Sequence, residues 1–73
     1  MDYKQAAEKA ISYAAKHTTP DTRTSAGLCL QDAMACMVND KPLYAYTRAM
    51  DSLRYSVGVF GQDYAEAEAL KVF

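Results

Sequence analysis

Between Lys41 and Gly61 the apolar residues Leu43, Tyr46, Met50, Leu53, Val57 and Phe60 recur at alternating intervals of three and four. That spacing draws one stripe down a helix and scatters over both faces of a strand, so it predicts an amphipathic helix with this stripe as its buried seam. Asp40 suits the N-cap, Pro42 the first turn, where its missing N–H costs nothing, and Gly61 the left-handed residue that closes the far end. The spacing also fits the seam of a coiled coil, but under three heptads it is equally accounted for by packing inside a bundle.

Two more helices are predicted upstream. Asp2 to His17 is alanine-rich and free of glycine and proline, with Tyr3, Ala7, Ala10 and Ala14 in one stripe that Ala6, Ile11 and Tyr13 widen. Lys16 and His17 suit the negative end of its dipole. The next helix has two candidate starts. In one, Thr19 caps and Pro20 opens it; in the other, Thr22 to Thr24 remain loop, Ser25 caps, and the pattern Ala26, Leu30, Ala33, Met37 begins at Ala26. Asn39 and Asp40 end it, and so short a connection before Pro42 predicts that the second and third helices fold back on each other. After Gly61, Asp63 with Glu66 three residues later forms a capping box. It predicts a short final helix to about Val72, with Tyr64, Ala67, Leu70 and Phe73 packing on the bundle or on a second subunit. The expectation is an all-α chain, one domain over residues 1–73, folded as a small antiparallel helical bundle of three main helices plus a short C-terminal helix.

Size then bears on assembly. A domain of 73 residues buries only about 60% of the surface its unfolded chain exposes and often needs a disulfide, a metal or a partner subunit. Cys29 and Cys36, seven residues apart in one predicted helix, have Cα atoms roughly 10 Å apart, beyond the ~7 Å a disulfide tolerates. One histidine and two distant cysteines do not make a metal site, so no metal and no cofactor are expected. Self-association is the remaining device, and a symmetric homodimer is expected. Eight basic against nine acidic side chains, scattered along the chain, argue against phosphate-backbone binding, which needs basic residues gathered on one face. No run approaches the ~20 apolar residues of a membrane span. With acidic Asp2 and Glu8 at the start and two unpaired thiols, a soluble cytoplasmic protein is expected.

Candidate chemistry lies on the other face of the third helix. Tyr44, Arg48, Ser52 and Tyr55 follow at four, four and three, with Asp51 and Arg54 beside them. Tyrosine and arginine dominate protein–protein hot spots because each joins a large contact area to a polar tip. The plainer account is a solvated face on which the tyrosines pack sideways and Arg54 pairs with Asp51. Six tyrosines also suggest base-stacking platforms, but the helix supplies only Lys41, Arg48 and Arg54 for a basic groove. Cys29 or Cys36 with His17 lacks the orienting third group and the cleft of a nucleophile–base pair, and cysteines beside Met34 and Met37 read as core. Gly58 and Gly61 follow a helix without P-loop spacing; Gly58 is expected to ease helix approach or weaken the last turn.

These residues predict a non-enzymatic protein-binding module, an inhibitor or adaptor acting by steric occlusion of a larger protein through Tyr44, Arg48, Asp51, Ser52, Arg54 and Tyr55. A small nucleic-acid-binding transcriptional regulator is the alternative. By analogy of size and class alone, a small acidic helical chain also has the format of a phage- or plasmid-encoded inhibitor.

Overall fold

The structure, a computed structural model, describes the backbone of residues 2–70 and the side chains of residues 2–58, 62 and 63. Its elements are three helices: α1 Tyr3–Ala15, α2 Ser25–Val38 and α3 Pro42–Leu70, the last interrupted at Gly58. Asp2 caps α1, its Oδ1 accepting from the backbone N–H of Lys4 and Gln5 at 3.1 and 3.2 Å. The buried face of α1 is Ala6, Ala7, Ala10 and Ala14, flanked by partly buried Tyr3, Ile11 and Tyr13, which is the stripe its spacing predicts. The helix ends at Ala15, ahead of Lys16 and His17; the His17 ring stands edge-on to Tyr13, with centroids 4.8 Å apart.

Neither predicted cap of α2 is used. The loop continues through Asp21, whose carboxylate accepts from both the backbone and the guanidinium of Arg23, and Thr24 is the N-cap, its Oγ1 accepting from Gly27 N–H at 3.0 Å. The bond to Arg23 holds the Asp21 carboxyl below its ordinary range. Gly27 is required by this loop. A β-carbon there would collide with the Asp21 carbonyl and lie 2.7 Å from both the Thr19 carbonyl and Thr24 Oγ1.

Asp40 closes α2, as expected with Asn39, and is not the N-cap of α3 it was also suited to be. It adopts φ 58°, while Lys41 N–H reaches the Cys36 carbonyl at 2.8 Å and Asp40 N–H the Met37 carbonyl at 3.1 Å. This pair of bonds, with a left-handed residue just past the helix, is a Schellman closure, in which aspartate occupies the position glycine usually takes. Lys41 then accepts the first bond of α3, from Ala45 N–H. The residues of this turn return the chain so that Arg48 meets Asp32 and Ser52 meets Ala26.

Helix α3 lies against both α1 and α2, which meet each other far less. Two buried clusters hold the three together: Ala14, Leu30 and Leu53, and next to them Ala10, Ala33 and Ala49. Among the described side chains of α3, the buried positions are therefore Ala45, Ala49, Ser52 and Leu53. At 100° per residue this strip is rotated by roughly a quarter of a turn from the seam of large side chains. Leu53 belongs to both. Tyr46, Met50 and Val57 are half-buried flanks, and Leu43 is 50% exposed. The cause is that α3 has two neighbours. Small residues where it faces both let them approach, and the large residues fill the edges. Phe60, also assigned to the seam, lies outside the described side chains.

The predicted stop at Gly61 falls instead at Gly58, with φ 75° and ψ −165°. Helical backbone resumes directly after it and extends to Leu70, so no separate start occurs at Asp63. Tyr64, Ala67, Leu70, Val72 and Phe73 lie outside the described side chains. Among the described residues no helix is long and apolar enough to cross a membrane.

Urea unfolding is expected to separate the two turns. Asp40→Gly removes the left-handed penalty and should raise stability by about 0.5–1 kcal/mol, whereas Gly27→Ala forces the 19–24 loop off α2 and should cost about 1–3 kcal/mol.

Candidate functional site

The face of α3 away from α1 is built around Arg48. Its Nη2 donates to Asp32 Oδ2 of α2 at 2.8 Å and its Nη1 to Asp51 Oδ2, one turn along α3, at 3.4 Å. The three side chains are 35–43% exposed, so each pair adds no more than about 1 kcal/mol to stability. What the pairs fix is the side chain's direction. The hydrogen bond to Asp32 raises the Arg48 pKa, so the guanidinium stays charged. Asp51, expected to pair with Arg54, pairs with Arg48, and Arg54 is exposed with no ion pair among the described residues.

Tyr44 and Tyr55 stand on either side of Arg48 along α3, 65% and 62% exposed. Two shallow depressions share Arg48 as a wall. One, of about 450 Å³, is bounded by Cys36, Asn39, Lys41 and Tyr44; the other, of about 390 Å³, by Leu28, Cys29, Arg54 and Tyr55. Leu28, 40% exposed, is an apolar side chain that lines the second together with Tyr55.

Of the six residues predicted for this face, five are at its surface: Tyr44, Arg48, Asp51, Arg54 and Tyr55. Ser52 is a correction. It is fully buried, and its Oγ donates to the Ala26 carbonyl of α2 at 2.8 Å. The rotation of the buried strip carries it inside, where a hydroxyl keeps the helices close and its own hydrogen bond satisfied. Among the described residues no buried side-chain polar atom is left without a partner. The contributions of α2, Leu28 and Asp32, went unnoticed in the sequence. Asp32 was recoverable, because a turn centred on Asp40 sets residues 32 and 48 equally far from it.

The thiols differ. Cys29 is buried beneath the face, and burial pushes its pKa up despite the nearby Arg48 charge. Cys36 is partly exposed on the wall of the first depression. Both are free. Among the described residues, no three His, Cys, Asp or Glu side chains gather as metal ligands.

In comparisons with protein-family models, curated proteins and solved structures, none matches this chain. The face is therefore characterised by its own chemistry: a charged, bracketed arginine between two exposed phenol rings.

Thiolate is the reactive form, so alkylation with iodoacetamide at pH 8, followed by mass spectrometry, should modify Cys36 well ahead of Cys29. Because the folded Cys29 pKa is raised, its contribution to stability is present below the unfolded thiol pKa of about 8.5 and lost as pH rises through the folded value. Urea midpoints should fall above about pH 8.5, and Cys29→Ala should remove that part of the dependence.

Proposed function

We propose that this chain is a non-enzymatic protein-binding module, an inhibitor or adaptor that acts by covering a surface of a larger protein. The observation that carries the reading is the pair of exposed tyrosines, Tyr44 and Tyr55, set about an arginine whose direction is already fixed by Asp32 and Asp51. Rigid aromatic anchors lose little rotamer freedom on binding, and an arginine already held in place loses less than a free one. Arg54, exposed and without a carboxylate of its own among the described residues, adds a charge that favours an acidic partner surface.

The scaffold of this reading is an antiparallel α2–α3 hairpin, supported by the pairing of Arg48 with Asp32 and Ser52 with Ala26. Residues 59–70 form a short C-terminal helix beyond the Gly58 break. The chain acts in the cytoplasm as a homodimer; a core made largely of alanine buries little area per residue, so a second subunit adds the burial a small domain lacks.

Affinity purification from the native host with the tagged chain is expected to recover a stoichiometric protein partner. Tyr44→Ala and Tyr55→Ala should each weaken that complex by roughly thirtyfold, the ~2 kcal/mol of a hot-spot residue, with helicity by circular dichroism unchanged. Retention on DNA that falls steeply with salt, and no protein partner, would replace this reading by a nucleic-acid regulator.

A further inference from the structure

Gly58 holds φ 75° and ψ −165° between two helical stretches of α3. These angles are near the mirror image of the polyproline II region, a conformation that an L-residue with a side chain avoids. A β-carbon at this position would meet nothing within 4 Å, so the backbone and no neighbouring atom demands glycine here. Beyond it the chain turns back along its own helix. Gln62 Nε2 donates to the Met50 carbonyl at 3.0 Å, although straight helix would set these two residues about 18 Å apart. One residue's dihedral angles therefore separate a folded-back arm from a continuous rod, since both flanks are already helical.

We propose that Gly58 is a hinge through which the arm of residues 59–70 is exchanged between two copies of this chain, which rests on and deepens the dimer reading above. Residues 50 and 62 are equally distant from Ser56. Two straightened α3 helices running in opposite directions about a two-fold axis beside Ser56 therefore remake the arm contact twice, with Gln62 of each copy on the Met50 carbonyl of the other. The occupant of the vacated surface is a second copy because the Met50 carbonyl on that surface already receives Gln62 of this arm. The Gln62–Met50 bond is of the same kind in both forms, so the preference at residue 58 sets the balance between closed monomer and exchanged dimer.

The two mirror-image alanines at this position test the idea in opposite directions. The full 73-residue chain is prepared by chemical synthesis as the native sequence, as Gly58→Ala and as Gly58→D-Ala, and each is followed by light scattering over a dilution series. L-alanine favours the helical basin, so the dimer dissociation constant should fall at least tenfold; D-alanine accepts positive φ, so it should rise at least tenfold. A photo-cross-linker in place of Gln62, in mixed isotopically light and heavy chains, should join the arm of one chain to the α3 segment around Met50 of the other. Arm exchange is overturned by a monomer at every concentration in all three proteins, by equal responses to the two alanines, or by cross-links confined within single chains of the dimer. Should circular dichroism find the L-alanine chain unfolded, unchanged dimerisation of the D-alanine chain overturns it alone. A dimer indifferent to both substitutions removes the hinge and keeps the two-fold assembly, and binding through Tyr44 and Tyr55 is measured separately from either.

Discussion

The close approach of α1 and α2 to the small-residue strip of α3 is the constraint on which the other features depend. Ala45, Ala49 and Ser52 present almost no side-chain bulk, and Ala10, Ala14 and Ala33 answer them from the neighbouring helices. Among the described residues, only Leu30 and Leu53 are large and fully buried. A core of this kind gains little from each alanine by area. Its stability rests instead on how closely three backbones pack, with Ile11, Tyr46, Met50 and Val57 sealing the edges. Where backbones come this near, a buried hydroxyl is useful: Ser52 takes up little space and bonds the Ala26 carbonyl across the gap.

The surface follows from the same geometry. Turning the buried strip toward Ser52 leaves Arg48 at the edge of the α2–α3 contact, near enough to α2 to meet Asp32 and far enough out to stay partly in water. Tyr44 and Tyr55 lie further round, at the rims of the two depressions beside α2, and so stay mostly in water. The arginine is oriented by the fold, while the tyrosines contribute nothing visible to it. Aromatic area left in solvent without a structural role is the reason for reading this face as a contact surface.

The helical class, the three-element order and the buried face of α1 were legible because alanine-rich periodicity and strong breakers agree there. The orientation of α3 was less so. Periodicity weights large side chains, and Leu43, Tyr46, Met50 and Val57 mark the flanks of a helix with two neighbours; its centre is marked by Ala45 and Ala49, which carry a weak hydropathic signal. Ser52 was misplaced for that reason, while Tyr44, Arg48, Arg54 and Tyr55 lie far enough from either stripe to remain outside. Turn chemistry was the other source of error. Asp40, read both as part of the end of α2 and as the N-cap of α3, performs only the first, and Gly58 breaks α3 where Gly61 was expected to, since a glycine in sequence does not say which of its basins is occupied.

Enlarging the centre of the strip while trimming the supposed seam separates the two descriptions of α3 most directly. Guanidinium unfolding of Ala49→Leu and Leu43→Ala, each beside the parent chain, measures this. With Ala49 enclosed by Ala10 and Ala33, added bulk at 49 should cost about 1–3 kcal/mol, and the loss of half-exposed Leu43 should stay within about 0.5 kcal/mol. A neutral Ala49→Leu together with a Leu43→Ala loss of the 2–5 kcal/mol typical of core leucines would mean that the large residues, and not the alanines, face the other helices.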